Sequence, residues 1–187
     1  MYYLSWRDHV DNTAAKANRT LGFLRRNLWF CQKEVKTTAY STLVRPILEY
    51  ASCTWDPHKT GQVNKLEGIQ RKAACFCVGN FNSSSSVTQM LSDLKWETLE
   101  TRRERNRLTM LFKIQRGMVG IPADKYITYL PERRTRRKND TQIKIPFART
   151  DTYKNSFFVR TSANWNTLEN NIVNAPSLES FKGALTA

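Results

Sequence analysis

The chain has 187 residues, of which 40% are hydrophobic, 11% aromatic and 25% charged, which is typical of a folded globular protein and excludes a disordered one. Lys and Arg number 30 against 16 Asp and Glu, so the formal net charge is +14 and the isoelectric point is about 9.9. Such a charge attracts polyanions, with nucleic acid as the first candidate and an acidic membrane surface or acidic protein as the second.

The hydrophobic pattern contains no run of the roughly 20 apolar residues needed to span a bilayer. The segment from Met1 to Asp11 also lacks the apolar core and cleavage site of a secretory signal. We therefore expect an intracellular protein, in the nucleus or the cytoplasm, with no membrane partner. In those compartments its cysteines are expected to be reduced thiols, namely Cys31, Cys53, Cys75 and Cys77.

Two amphipathic helices are predicted at the start of the chain. The first opens at Ser5, and its apolar residues recur in steps of three and four: Ala14, Ala17, Leu21, Leu24 and Leu28. The second runs from about Lys33 to Ser52, and Pro46 predicts a kink near Arg45 because proline lacks an amide hydrogen and clashes with the preceding turn. The buried side of this second helix is predicted to be Val35, Ala39, Leu43, Ile47 and Tyr50.

Three further helices are predicted before residue 118. One begins near Thr60 and ends at Gly79, with an apolar face of Val63, Leu66, Ile69, Ala73 and Cys77. After a polar loop, a short helix capped by serine covers about Val87–Leu94, and a longer one covers about Glu97–Arg116. This last helix carries arginines around more than half of its circumference, so it cannot be buried on all sides: Arg102, Arg103, Arg105 and Arg107.

The periodicity weakens after Gly117, and a basic loop follows between Pro131 and Asp140. The alternation at Ile143–Phe147 permits a short strand, and two short helices are predicted at Ser162–Asn170 and Ser177–Leu185. The fold class is therefore mainly α: a helical bundle over residues 1–118, then a less regular C-terminal third over 119–187 that holds the basic loop and a small helical appendage.

The segment AYSTLVRPILEYAS at 39–52, followed by WDP at 55–57, is the most diagnostic part of the sequence. Together with ANRTLGFLRR at 17–26, it resembles the region just after the palm in jockey/CR1-like non-LTR retrotransposon (LINE) reverse transcriptases. Further similar stretches are KLE at 65–67, QRKAA at 70–74, LKWETL at 94–99, RR at 102–103, SFF at 156–158 and WN at 165–166. The resemblance covers almost the whole chain, and it departs from the family pattern at CFC (75–77) and LE (168–169).

The resemblance implies a thumb, a helical bundle that packs against the backbone of the template-primer duplex. Polymerisation in this family needs paired aspartates of a Tyr-x-Asp-Asp-type motif to hold two metal ions, and this sequence contains no such pair. We therefore expect a chain that is not an enzyme on its own and needs no cofactor. Its expected partners are the backbone of RNA or DNA, as an RNA–DNA or DNA duplex, and the palm and fingers of a reverse transcriptase.

Three basic clusters are the candidate nucleic-acid-binding residues, because the planar fork of arginine donates two hydrogen bonds to a phosphate. They are Lys16, Arg19, Arg25 and Arg26 on the first helix; Arg102, Arg103, Arg105 and Arg107 on the fifth; and Arg133, Arg134, Arg136, Arg137 and Lys138 in the loop. The alternatives are a solvated face for the first cluster and ion pairs with Glu97, Glu100 and Glu104 for the second. For the third they are a nuclear localisation signal or a solvated linker.

Other features of the sequence leave alternatives open. A basic helical protein-interaction module, or an inert retroelement remnant, is the alternative to nucleic-acid binding. A zinc site is disfavoured, since Cys75 and Cys77 are one residue apart and point to different faces of a helix. Trp6, Trp29 and Trp55 remain candidates for stacking on bases. The other two tryptophans lie beside apolar runs and are predicted to anchor the core: Trp96 and Trp165.

Overall fold

The computed structural model describes residues 6–82, 84–131 and 141–186, and their fold is mainly α-helical, as the sequence predicts. Within these ranges, β structure is limited to one antiparallel bridge between Tyr129 and Ile143. The short strand permitted at Ile143–Phe147 therefore amounts to a single bridging residue. The chain divides into two compact units, Met1–Arg103 and Glu104–Ala187.

The first unit is built from consecutive helices joined by short connections. They are α1 (Arg7–Asn27), α2 (Lys33–Ala39), a π-helical turn (Tyr40–Val44), α3 (Arg45–Glu49), α4 (Ser52–Trp55), α5 (Thr60–Val78), α6 (Val87–Asp93) and the start of α7 (Leu99–Gln115). The boundary between the two units falls inside α7.

Helices α1 and α5 pack against each other and supply much of the core of the first unit. Helix α1 buries Val10, Ala14, Ala17, Leu21 and Leu24, so its predicted stripe is confirmed up to Leu24. The predicted face of α5 is buried from Val63 to Cys77, and Gly79 ends this helix with a φ of 75°. Glycine adopts this left-handed conformation without steric cost, which explains why the sequence signal for the end of α5 is reliable. The predicted cap of α1, Ser5, lies outside the described residues.

The segment before Pro46 departs from α-helical geometry, as the proline predicts. The backbone N–H of Arg45 donates to the carbonyl of Tyr40, five residues earlier, and this bond closes the π-helical turn. In a regular α-helix the ring of Pro46 would clash with the carbonyl of Thr42. A turn that is one residue wider accommodates the proline without ending the helix.

The predicted buried side of this second helix is wrong at three of its five positions, whereas Ala39 and Ile47 are partly buried against the core, as predicted. Val35, Leu43 and Tyr50 are 47%, 51% and 81% exposed, whereas the buried residues are Lys36, Tyr40, Val44 and Leu48. These four recur in steps of four, and each such step overshoots one α-helical turn by about 40°. The π-helical turn reduces this angular overshoot, because a π-helical turn contains about one residue more than an α-helical turn. A 3.6-residue period therefore selects the wrong side of a segment that contains a wide turn.

Tyr40 links the π-helical turn to two other parts of the first unit. Its hydroxyl donates to Oε1 of Gln70 at 3.0 Å, and Nε2 of Gln70 donates to the carbonyl of Glu97 at 2.8 Å. The Tyr40 ring stacks on Trp96 with centroids 4.3 Å apart. Burial raises the pKa of the Tyr40 phenol, so the hydroxyl stays protonated and remains a donor.

Replacing Tyr40 by phenylalanine is expected to lower the free energy of unfolding by about 1–3 kcal/mol. The substitution keeps the ring on Trp96 but leaves Oε1 of the buried Gln70 without its donor. Urea denaturation of wild type and variant, followed by circular dichroism, measures the difference. Equal unfolding midpoints would show that the hydrogen bond to Gln70 contributes nothing.

Helix α6 has the serine cap that the sequence predicts, and the last helix is capped by a serine in the same way. The side chain of Ser86 accepts from the backbone N–H of Gln89, and Ser177 accepts from that of Ser180.

The second unit holds the rest of α7 and the helices α8 (Ala123–Tyr126), α9 (Asp151–Lys154), α10 (Phe157–Trp165), α11 (Asn170–Val173) and α12 (Leu178–Ala184). The helix predicted at Ser162–Asn170 is thus α10, which begins five residues earlier, whereas α12 confirms the prediction at Ser177–Leu185.

Trp165 lies at the centre of the second unit and is fully buried. Its ring stacks on Phe181, which in turn stacks on Phe112 with centroids 4.4 Å apart. The indole Nε1 donates to the carbonyl of Thr141 at 3.1 Å. The neighbouring Asn166 side chain exchanges two hydrogen bonds of 2.8 Å with the backbone of Ile143, so α10 holds the irregular segment that follows the basic loop.

Candidate nucleic-acid interface

The first predicted basic cluster lies on the solvent-exposed surface of α1. Lys16, Arg19, Arg25 and Arg26 are all exposed. Arg19 and Arg26 are seven residues apart, about two turns, and therefore point in nearly the same direction. Phe23, which is 55% exposed, lies between them on that side. From Lys16 to Arg26 the helix rises about 15 Å, and Lys16, Arg19 and Arg26 fall within about 80° of its circumference. Arg25 lies about 100° round the axis from Arg26, beside the buried face, and we call the four cations together the stripe.

The charges of this stripe are not neutralised by the ion pairs of the first unit. In the described part of the chain, the recorded pairs of this unit join Lys65 to Asp11, Arg102 to Glu49 and Arg103 to Asp56, and none includes a member of the stripe. Asp8 and Asp11 lie in the first turns of α1, whereas Arg25 and Arg26 lie in its last turn, where the helix dipole favours positive charge. The positive potential is therefore concentrated towards the C-terminal end of α1.

The second predicted cluster does not form a phosphate-binding face. Arg103 and Arg107 are buried, with 0% and 3% of their surface exposed, so neither can reach a nucleic acid at the protein surface. This burial removes both from the predicted interface. Arg102 forms two hydrogen bonds with the carboxylate of Glu49, which raise the pKa of its guanidinium further. Arg105 is half-buried.

The guanidinium of Arg103 is held by Asp56. Its Nε donates to Oδ1 of Asp56 at 2.7 Å, and the exposed fractions of the two side chains are 0% and 5%. The two Nη atoms have no hydrogen-bond partner among the described residues. A buried cation in this position depends on its single carboxylate, so Arg103 has a structural role. The sequence indicates acidic partners for this arginine within the same helix, whereas Asp56 lies 47 residues away along the chain.

The third predicted cluster, Arg133, Arg134, Arg136, Arg137 and Lys138, lies outside the described residues.

The tryptophans separate into core residues and one residue at the surface. Trp55 is buried and donates from Nε1 to the carbonyl of Tyr50 at 2.8 Å, which excludes it from base stacking in this fold. Trp96 and Trp165 are core residues, as predicted, although Trp96 is only partly buried. Trp29, in the turn after α1, is 48% exposed. It is the tryptophan best placed to meet a ligand.

Trp29 packs against Phe81, a residue that is not among the predicted site residues. The two rings stack with centroids 5.7 Å apart and an interplanar angle of 19°, although 52 positions separate them in the sequence. The guanidinium carbon of Arg25 lies 5.2 Å from the centre of the Phe81 ring. No local pattern indicates this contact, because it depends on the packing of α1 against α5.

The cysteines have the environment of structural thiols. Cys31, Cys53 and Cys75 are half-buried, and burial of Cys77 raises the pKa of its thiol to about 11. Cys77 is therefore protonated, and a poor nucleophile, at neutral pH. Within the described ranges, no three His, Cys, Asp or Glu side chains are grouped so that they could hold a metal ion.

No protein-family model, curated protein or solved structure matches this chain. No helix in the described ranges is long and apolar enough to cross a membrane. The function therefore has to be inferred from the residues of the chain itself.

Proposed function

We propose that this chain binds the phosphate backbone of nucleic acid through the outward surface of α1, as a thumb-like part of a non-LTR retrotransposon reverse transcriptase. The observation that carries the proposal is the stripe of Lys16, Arg19, Arg25 and Arg26, four exposed cations on one helix with no recorded carboxylate partner among the described residues. The chain holds the template-primer duplex and does not catalyse polymerisation, because its sequence lacks the paired aspartates for two metal ions.

The chemistry of the stripe favours contact with the backbone over reading of base sequence. Lysine and arginine on a helix surface meet phosphates, which fix the position of a protein on a duplex but carry no sequence information. The cations are held by a helix whose opposite side is buried, so binding does not require the backbone of α1 to become ordered. Duplexes of different sequence are therefore expected to bind with similar affinity.

Replacing all four cations of the stripe by glutamine is expected to lower the salt dependence of duplex binding. Each phosphate contact contributes about 0.9 to the slope of log K against log salt concentration, so four lost contacts reduce the slope by about 3–4. Fluorescence anisotropy of a labelled RNA–DNA or DNA duplex, titrated at several salt concentrations, measures the slope. Circular dichroism verifies that the variant is folded.

A matched control removes the same number of charges from the second unit. Lys125, Lys144, Lys154 and Lys182 are exposed there, and their replacement by glutamine also removes four positive charges from the net charge of +14. We expect this control to retain most of the wild-type slope. Equal losses in the two variants would mean that net charge alone drives binding. A wild-type protein that does not bind the duplex would favour a protein-interaction module or an inert remnant.

A further inference from the structure

We infer that the aromatic contact at the C-terminal end of α1 is a binding site for an unpaired base of single-stranded nucleic acid, an inference that rests on the proposed function. The site consists of Trp29 and Phe81 with the neighbouring Arg25 and Arg26. This site adds a second mode of contact to backbone binding, because a base can stack on its aromatic rings.

The first support is the exposure of stacked aromatic rings. Trp29 and Phe81 keep 48% and 46% of their surface exposed, although they contact each other. Large apolar rings left half in water form an apolar patch, and an aromatic side chain at such a patch can stack on the flat face of any base. Lys36 lies 6.0 Å from the centre of the Trp29 ring and is itself buried, so the indole is held from the protein side.

The second support is an open cavity next to Trp29. Its volume is about 330 Å³, and Gly22, Arg25, Arg26 and Trp29 line it. This volume falls at the lower end of the range for small-ligand pockets, about 300–1,000 Å³. Gly22 has no side chain to fill the space, and the position that its Cβ would take lies 3.6 Å from Nη1 of Arg26.

The third support is the charge around the cavity. A nucleotide presents a flat base and an anionic phosphate, and the cavity offers the matching pair of groups, an indole ring and two guanidinium groups. Arg25 contacts the Phe81 ring, so its guanidinium plane is available as a further stacking surface for the base. Arg26 is exposed at the same end of α1 and faces the backbone phosphate. An acidic partner would contact only the guanidinium groups, and a purely apolar partner would contact only the indole ring.

Phe81 has a positioning role in this site. It belongs to the loop after α5, where the Oδ1 of Asn80 accepts from the backbone N–H of Asn82 at 3.1 Å and the Asn80 amide contacts the hydroxyl of Ser85 at 2.9 Å. These bonds fix the loop on both sides of Phe81. The ring in turn contacts both Trp29 and Arg25, the two groups that would meet the base.

The test compares two fluorescent single-stranded oligonucleotides of equal length, one of oligodeoxythymidine and one of abasic sites with the same number of phosphates. Stacking predicts that wild type binds the oligonucleotide with bases about tenfold more tightly. Trp29→Ala should lose that preference and leave binding to the abasic strand unchanged. Arg26→Gln should instead weaken binding to both strands by the same factor, because it removes a phosphate contact.

Phe30→Ala is the matched control, since Phe30 is the next residue in the same turn, is 98% exposed, and contributes to none of the recorded ring contacts of the described residues. It should retain the wild-type preference. If Trp29→Ala proves unfolded by circular dichroism, Trp29→Leu keeps an apolar side chain on Lys36 without an aromatic face. Equal wild-type affinity for both strands would overturn the stacking site but leave backbone binding intact. Failure to bind either strand would also overturn the stacking site, whereas the duplex titration decides separately on backbone binding.

Discussion

Replacing Asp56 by alanine is expected to lower the free energy of unfolding by about 3–5 kcal/mol. The substitution removes the carboxylate that neutralises Arg103, whose side chain is completely buried. The variant must then either bury a guanidinium without its carboxylate or open the structure around it. Urea denaturation followed by circular dichroism measures the loss. Because a whole domain is stable by only about 5–15 kcal/mol, an effect of this size is easily detected.

The matched control is Asp11→Ala, which removes the acid of another ion pair of the same length. Nζ of Lys65 lies 2.7 Å from Oδ1 of Asp11, the same distance as in the buried pair, but the two side chains are 49% and 41% exposed. Water solvates both charges when this pair is broken, so the expected cost is at most about 1 kcal/mol. Similar losses in the two variants would contradict the structural role assigned to Arg103.

Replacing Trp165 by alanine is expected to destabilise the protein by about 3–5 kcal/mol. The change removes the largest fully buried side chain of the second unit, its stack on Phe181, and the donor to the carbonyl of Thr141. Neighbouring side chains can only partly fill the resulting cavity. Thermal unfolding followed by circular dichroism measures the effect as a lower midpoint.

Phe147→Ala is the control for that variant, because Phe147 belongs to the same unit but is 87% exposed. Truncation of a side chain that is already in water is expected to change stability by no more than about 0.5 kcal/mol. A Trp165→Ala protein as stable as the Phe147→Ala protein would mean that the second unit does not depend on its aromatic core.

The sequence predicts those parts of the fold that local signals determine. The face of α5 and its end at Gly79 follow from apolar spacing and from a left-handed glycine. The serine caps of α6 and α12 are likewise local, because each accepts from an N–H three residues later. Such features need no knowledge of what the helix packs against.

Apart from the second helix, whose wide turn is a local feature, the incorrect or missing predictions depend on contacts between distant parts of the chain. An arginine on a helix is normally a surface residue, and nothing near Arg103 in the sequence shows that Asp56 will cover it. The pairing of Trp29 with Phe81 depends on the packing of α1 on α5 in the same way. The exposed stripe on α1 was predictable because its residues fall outside a regular apolar face, with Arg19 and Arg26 opposite it. The basic cluster on α1 could therefore be found from the sequence, whereas the burial of Arg103 and Arg107 on α7 could not.

The π-helical turn at Tyr40–Val44 also bears on how this segment can change in evolution. The turn holds one more residue than an α-helical turn, so it is equivalent to a single-residue insertion within a helix. Deleting one residue there would rotate everything that follows by about 100° relative to what precedes it. Val44 and Leu48 would then leave the core that they now share with Tyr40. A change of length in this segment is therefore expected to require the loss of Pro46 and a new set of apolar positions.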